Sequence, residues 1–205
     1  AAQLNAPVLT TFKGKGIISD NHPLACGVLG RSGTPVASWF MNESDLLIVL
    51  GASFSNHTGI TYKKKTIQVD FDPLILGKFH AVDVPVYGEI GETVQILLDK
   101  TKEVKKADRS NEIQERWGIW RAEKLKREAD DLGNGVNSAS VFAAMNRLIP
   151  ENAVIAVDVG NNTYSFGRYF ECKAQSVLMS GYLGSIGFGY PAAMGAWAAQ
   201  PERPT

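Results

Sequence analysis

The sequence predicts an α/β fold in which helices flank a parallel β-sheet, followed by a second, shorter α/β unit. Apolar runs of five to eight residues alternate with stretches of helical periodicity, which is typical of strands joined by crossover helices. The runs at 45–52 and 153–159 are continuous rather than alternating. Continuous apolar runs indicate buried parallel strands, and for 45–52 we expect burial on both faces of the sheet.

The first unit is predicted to contain strands at 7–11, 45–52, 66–70 and 82–87 and a helix at about 89–99. Thr34 precedes Pro35, and Asp72 precedes Pro73, so each pair combines an N-cap residue with a proline at the first helical position. Both pairs predict a helix start. The glycine-rich stretch 20–33 is interpreted as a loop. This order of elements fits a Rossmann-like domain, in which ligands lie beyond the carboxyl ends of the strands.

A highly charged segment separates the two units. Between 101 and 131, 17 of the 31 residues are charged, with nine basic and eight acidic. Ile113, Trp117, Trp120 and Lys124 fall near helical spacing, which predicts a solvated helix whose aromatic stripe docks on a domain. We therefore predict three parts, which are a central Rossmann-like domain at 1–104, a charged linker helix at 105–136 and a second α/β unit at 137–205.

The second unit ends in the stretch that carries the candidate site. A helix capped by Ser138 and strands at 153–159 and 175–179 lead into a run with four glycines in nine residues, from 181 to 189. Glycine lets backbone approach a ligand closely, and Ile186 is a single branched apolar residue among these glycines. The pattern suits a seat for a flat cofactor with polar edges, although it also suits a tight turn into a buried helix.

Composition narrows the function classes. Lys plus Arg and Asp plus Glu number 21 each, so we expect no nucleic-acid or anionic-membrane partner. No apolar run is long enough for a membrane span, and the start of the chain does not read as a signal peptide. Two cysteines without a metal or redox spacing fit a reducing, cytoplasmic location. The three histidines are not spaced as ligands, so we predict no metal-ligating residues in this chain.

The motif at Gly184-Ser185-Ile186-Gly187-Phe188-Gly189, with the alanines and glycine that follow it, resembles the cofactor loop of a known family. These are the thiamine diphosphate (ThDP, or thiamine pyrophosphate) enzymes of the acetolactate synthase and pyruvate decarboxylase type. The resemblance extends over nearly the whole chain, since 7–33, 45–54 and 67–78 resemble the family's central domain and 153–162 its pyrophosphate domain.

The resemblance implies ThDP and Mg²⁺ as cofactors and a 2-keto acid as substrate. It assigns Ile186 as the catalytic wedge that bends ThDP, and the backbone of Gly184, Ser185 and Ile186 as the seat of the aminopyrimidine ring. It also implies that the loop Val159, Gly160, Asn161 and Asn162 approaches the diphosphate. Asn161 and Asn162 also fit a plain helix cap and turn.

The family's Mg²⁺ motif and its catalytic glutamate are not found in this sequence. The resemblance therefore implies a fragment, with the central domain truncated at its start and the pyrophosphate domain at its end. We expect such a fragment to be inactive by itself. Because the family builds its site between subunits, the resemblance also implies a homodimer or homotetramer.

Nucleotide binding by the first unit is the alternative function. Some relatives bind FAD or ADP there, which makes Arg31, Gly33, Gly51 and Asp70 candidate nucleotide contacts. Ser53 stands where FAD-binding members often carry arginine, and the loop 54–57 lacks that cation, which weakens the FAD prediction. A binding or scaffold module without catalysis would use the same sheet. A Rossmann dehydrogenase is disfavoured because no G-x-G-x-x-G follows a strand and opens a helix.

Overall fold

A computed structural model describes residues 1–53, 55, 57–61, 63–104, 107–130 and 133–205. Short 3₁₀ turns lie at Ala2–Leu4 and Phe12–Gly14. The strands are β1 (Val8–Thr10), β2 (Ala25–Val28), β3 (Leu46–Leu50), β4 (Lys65–Asp70), β5 (Val84–Tyr87), β6 (Val154–Val157) and β7 (Ser176–Met179). The helices are α1 (Pro35–Glu43), α2 (Ile90–Lys100), α3 (Ser110–Ala129), α4 (Ser138–Leu148), α5 (Asn161–Tyr169) and α6 (Gly189–Ala199).

All strand pairings in the described part of the chain are parallel. They form three small sheets, with the orders β1–β2, β3–β4–β5 and β6–β7. Helices connect and cover them, which confirms the predicted α/β class with a parallel sheet and flanking helices. We refer to β1–β5 with α1 and α2 as the first unit, and to α4–α6 with β6 and β7 as the second unit.

Helix α1 begins as the sequence predicts. The hydroxyl of Thr34 accepts the N–H of Ala37 at 3.1 Å, and Pro35 occupies the first helical turn. The same hydroxyl donates to the carbonyl of Cys26 at 2.7 Å. One threonine therefore caps α1 and fixes it to β2, which places the helix over the core of the first unit.

Helix α3 covers that core with its aromatic stripe. Ile113, Trp117 and Trp120 are buried there, and the indole N–H of Trp117 donates to the carbonyl of Ala25 at 2.7 Å. The predicted docking of the stripe is confirmed. The domain boundaries stay a prediction, and residues 105, 106, 131 and 132 of the predicted linker lie outside the described residues.

Several sequence predictions for local structure were wrong. Strand β2 lies inside the stretch interpreted as a loop, because Cys26 and Val28 are buried against the core while turn residues surround them. After Asp72-Pro73 the chain makes turns and no helix. The carboxylate of Asp72 accepts the N–H of Leu74 at 2.9 Å, which satisfies the first backbone donor of the turn locally.

Strand β3 was also expected to be buried on both faces, and it is not. Leu47 and Val49 are buried, whereas Leu46, Ile48 and Leu50 on the other face are each more than 40 % exposed. The core of the first unit lies on the α1 and α3 side of this sheet.

The second unit has its own core, and a hydrogen bond to a buried carboxylate of the first unit joins the two. Phe142, Val157, Phe166, Phe170 and Cys172 are buried together. From the first unit, the Asp20 carboxylate accepts the Lys15 ammonium at 3.2 Å and the N–H of Cys172 at 2.8 Å, with the side chains of Asp20 and Lys15 both buried.

Asn137, rather than the predicted Ser138, caps α4 by accepting the N–H of Ser140. Nowhere in the described residues does a helix have the length and apolar character needed to cross a membrane.

Candidate functional site

The carboxyl ends of β6 and β7 lie side by side, with Val157 opposite Met179. Each strand continues into a loop, and the two loops touch. A Cβ placed on Gly184 would lie 3.8 Å from Cγ1 of Val159. The structure therefore brings together two of the sequence-predicted groups, namely the 159–162 segment and the 184–186 segment, at the end of a parallel sheet where ligands bind.

Asp158 joins these loops. Its Oδ1 accepts the N–H of Val159 at 2.6 Å and that of Gly187 at 2.8 Å, and its Oδ2 accepts the N–H of Gly189 at 3.2 Å. The hydrogen bond from Val159 is the main cause of a lowered pKa for the Asp158 carboxyl, and those from Gly187 and Gly189 add to it. The carboxylate is thus held in its ionised form.

Asp158 is not among the residues predicted from the sequence. A signal was present, because an acidic residue interrupts the apolar run 153–159 two residues before Gly160. Its partners Gly187 and Gly189 lie 29 and 31 residues later, so the contact depends on the pairing of β6 with β7.

The loop 180–188 presents backbone and one apolar side chain to open space. Gly184 and Gly187 have φ of +65° and +89°, and a Cβ on Gly187 would meet no atom within 4 Å. Ile186 is 85 % exposed. Within the described residues, the carbonyl of Gly184 and the N–H of Ile186 make no hydrogen bond. These free groups suit a flat ring with polar edges, while the assigned roles of Gly184, Ser185 and Ile186 stay predictions.

Ser185 differs from its neighbours, because its N–H is already used. The hydroxyl of Ser180 accepts it at 2.9 Å, and the carbonyl of Ser185 accepts the N–H of Phe188. These two bonds shape the loop around Ile186 without using the groups that face outward.

The start of α5 is the second part of the site that has free backbone groups. Gly160 has φ +145°, which a side chain disfavours, and Asn161 and Asn162 are exposed. Among the described residues, the N–H groups of Asn161 and Asn162 have no partner. A helix N-terminus with free N–H groups attracts anions. At α6 the Asp158 carboxylate accepts the N–H of the first residue, Gly189, whereas at α5 the first two N–H groups are free within the described residues.

The first unit contributes to the edge of the site. Lys13 lies along Gly181, where a Cβ would come within 2.6 Å of the lysine side chain, and its ammonium lies 5.6 Å from the ring centre of Tyr182. Lys13 is a second residue of the site that was not predicted. Its contact crosses from one unit to the other, which no local pattern indicates.

The two glycines predicted as nucleotide contacts of the first unit are packed against the chain itself. A Cβ on Gly33 would lie 2.3 Å from the carbonyl oxygen of Val28, and one on Gly51 would lie 2.7 Å from Cδ1 of Ile90. These glycines serve close packing within the unit.

The two charged candidates differ, because Asp70 is engaged through its side chain, whereas Arg31 is exposed and is engaged through its backbone carbonyl. Asp70 is buried and its carboxylate accepts the N–H of Asp72 at 2.9 Å, while the carbonyl of Arg31 accepts the guanidinium of Arg168 at 2.9 Å. Nucleotide binding stays a prediction. Two residues of the loop compared with FAD-binding relatives lie outside the described residues, namely Phe54 and Asn56.

No cluster of three or more histidine, cysteine, aspartate or glutamate residues able to hold a metal occurs in the described part of the chain. Both cysteines are buried, and burial raises the pKa of Cys26 to about 12 and that of Cys172 to about 11. Neither thiol is a nucleophile near neutral pH.

Comparison with known proteins finds matches over most of this chain. Residues 1–97 match the model described as the central domain of thiamine pyrophosphate enzymes, and residues 158–205 match their C-terminal TPP binding domain. A relative from Methanococcus aeolicus, named "Probable acetolactate synthase large subunit", is 36% identical over 97% of this chain and 36% of its own length.

Two further relatives are also named acetolactate synthase large subunits. The protein of the same name from Methanocaldococcus jannaschii is 34% identical, over 95% of this chain and 35% of its own length. The acetolactate synthase large subunit of Pyropia yezoensis is 33% identical, over 96% of this chain and 34% of its own length. The chain thus spans about a third of the length of the curated relatives that it matches. Because the two matching models describe successive domains of one enzyme family and together cover most of the chain, the chain belongs to the thiamine pyrophosphate enzymes.

Proposed function

We propose that the protein containing this chain is a ThDP-dependent transferase or lyase that decarboxylates a 2-keto acid, with acetolactate synthase-like carboligation as the reaction. One observation carries the proposal. The matched TPP binding domain begins at Asp158, so it contains both loops that this carboxylate joins. When bound, ThDP supplies a nucleophilic carbon and an electron sink for the loss of CO₂ from a keto acid.

In this proposal the Ile186 side chain packs against the cofactor and enforces its bent conformation. Its side chain is exposed at the tip of a loop that Asp158 and Ser180 hold, so the chain itself leaves it free for contact. The carbonyl of Gly184 and the N–H of Ile186 would accept from and donate to the polar edge of the pyrimidine ring. Backbone groups suit this task, because they are fixed by the loop and need no side-chain ordering.

The diphosphate is proposed to lie at the start of α5. The free N–H groups of Asn161 and Asn162 and the positive φ of Gly160 support this placement. The N-terminus of α6 is a poorer place for an anion, because the Asp158 carboxylate already occupies it. The proposal includes Mg²⁺, for which we expect other residues of the intact protein to supply the ligands.

We also propose a homodimer or homotetramer in the cytoplasm. The support is a group of large apolar side chains that stand exposed on the loop and on α6. They are Tyr182, Leu183, Ile186, Tyr190, Met194 and Trp197. Several large exposed apolar side chains within one short segment are typical of ligand or protein contacts.

The alternative of a nucleotide-binding or scaffold module is not favoured. The glycines predicted to approach a nucleotide are packed against Val28 and Ile90, and Asp70 is buried and hydrogen-bonded. FAD binding at this site would need the two glycines and the Asp70 carboxylate to be accessible to the nucleotide.

The test is CO₂ release from pyruvate by the intact protein, with and without ThDP and Mg²⁺. We expect release that depends on both cofactors, and condensation products would then separate a synthase from a simple decarboxylase. A direct ThDP titration accompanies it. Absence of ThDP binding by the intact protein would overturn the proposal, whereas binding without pyruvate turnover would point to a different keto acid.

A further inference from the structure

The loop that carries Ile186 has few attachments to the rest of the chain. Every residue from 181 to 187 is exposed, and within the described residues its side chains are not part of either core. A loop of this kind samples many conformations unless hydrogen bonds hold it. Its ability to present Ile186 in one place therefore depends on a small number of contacts.

Asp158 supplies one of the two hydrogen bonds that flank Ile186, and Ser180 supplies the other. The N–H that follows Ile186 in the chain, that of Gly187, donates to Oδ1 of Asp158 at 2.8 Å. Gly189, the first residue of α6, donates to Oδ2 at 3.2 Å. One carboxylate thus fixes the loop on the far side of Ile186 and the start of the next helix together.

The position of Asp158 is itself well fixed. It directly follows β6, its carbonyl accepts the hydroxyl of Thr163, and Gly189 packs so closely on it that a Cβ there would lie 2.9 Å from the Asp158 Cβ. Because Thr163 belongs to α5, Asp158 also links the loop to this helix, whose N-terminal N–H groups are free. Charge-assisted hydrogen bonds to backbone N–H groups are stronger than neutral ones.

We propose that Asp158 is a positioning residue that holds the Ile186 loop in register with the start of α5, so that the two halves of the ThDP seat are formed before the cofactor arrives. The residue acts through Gly187 and Gly189 and does not itself contact the cofactor. This inference rests on the proposed function, and preorganisation of the seat predicts tighter binding, because less loop ordering is left for the binding step.

The test uses Asp158→Asn in the intact protein, with Asp72→Asn as the matched control. Asparagine has the same shape, yet its NH₂ group faces the N–H of Gly189 and its oxygen carries no full charge. Asp72 lies in the first unit, where its carboxylate also accepts a backbone N–H, that of Leu74. Hydrogen exchange of peptides covering 180–190 is measured without cofactor, and ThDP affinity is measured by titration.

We expect faster exchange at Gly187 and Gly189 and roughly tenfold weaker ThDP binding in Asp158→Asn, as for the loss of a charged hydrogen bond. Exchange in the first unit should not change, and the control variant should match the wild type in both measurements. Asp158→Glu, which keeps the charge on a longer side chain, should recover part of the affinity, and it replaces the asparagine variant if that one fails to fold.

The outcomes are distinguishable. Wild-type protein that does not bind ThDP overturns the proposed function, and with it this inference. Wild-type binding together with a ThDP affinity of Asp158→Asn within twofold of it overturns the role of Asp158 alone, whatever the exchange. A general rise in exchange across both units would also overturn it, because that result indicates a structural role without local positioning.

Discussion

In the first unit, Gly30 at the carboxyl end of a strand packs against the chain itself, whereas in the second unit Gly187, in the loop after β7, faces open space. Gly30 follows β2, and a Cβ there would lie 2.1 Å from the carbonyl oxygen of His57. Gly187 follows β7, and a Cβ there would meet nothing within 4 Å. Both have positive φ, +102° and +89°.

The difference separates two uses of glycine at equivalent places in an α/β fold. Gly30 is needed so that the loop 29–33 can close on the loop 57–59, which is a requirement of folding. At Gly187 the surrounding atoms leave room for a side chain. The reasons for glycine at this position are therefore its backbone conformation and the access that it gives to a ligand. The proposal of a cofactor seat therefore belongs to the second unit.

The largest expected effect comes from Gly30→Ala, with Gly187→Ala as its counterpart. At Gly30 the new methyl group would strike backbone oxygens of His57 and Thr58 and would also strain φ, so we expect a loss of about 3 kcal/mol in the free energy of unfolding. At Gly187 only the φ strain applies, at about 1 to 2 kcal/mol. Urea denaturation of both variants checks this. Equal losses would contradict the distinction between the two loops.

Ile186→Ala sharpens the comparison through activity. The side chain is 85 % exposed, so its removal should change the free energy of unfolding by less than about 0.5 kcal/mol. Turnover of a 2-keto acid by the intact protein should nevertheless fall roughly 10- to 100-fold, since one bent cofactor geometry is no longer enforced. Ile17→Ala is the matched control, because Ile17 is equally exposed at 85 % and lies in the first unit. Unchanged turnover in Ile186→Ala would refute the wedge.

A smaller effect is expected where α6 meets Asp158. A Cβ on Gly189 would lie 2.9 Å from the Asp158 Cβ and 3.1 Å from its backbone nitrogen, so Gly189→Ala should cost about 1 to 2 kcal/mol. Gly195 lies in the same helix with no neighbour within 4 Å, and its replacement by alanine should gain up to about 1 kcal/mol through helix propensity. Thermal unfolding of the pair measures the contrast. A stabilising Gly189→Ala would show that α6 does not pack on Asp158 in solution.

Much of the fold could be predicted because its signals are local. The cap formed by Thr34 and the aromatic stripe of Trp117 and Trp120 depend on residues within one or two turns of a helix. Strand β2 was missed because its four residues stand among proline and glycine, which dominate a local pattern. The open face of β3 was missed for another reason, since an apolar run does not say what covers each side of a sheet.

The candidate site could be predicted only in part, for the same physical reason. The glycines and Ile186 are adjacent in sequence, so their pattern is visible. Asp158 and Lys13 act on that loop from distant positions in the chain, and their roles follow from the pairing of β6 with β7 and from contact between the units. A single aspartate after a strand is common, and only its hydrogen bonds distinguish this one.

The smallest expected effect is the response of the Asp158 contacts to acid. The Val159 N–H, with those of Gly187 and Gly189, holds the pKa of Asp158 below its usual range, which is about 3.9 in an unfolded chain. A carboxyl group with a lowered pKa in the folded state stabilises the protein fully above the unfolded value, and this contribution is lost as pH falls through the folded value. The stability difference between wild type and Asp158→Asn should therefore stay constant from pH 7 to about pH 5 and narrow below about pH 4. Urea denaturation of both proteins across this range measures it, and a difference that already narrows between pH 7 and pH 6 would mean that another group controls the loop.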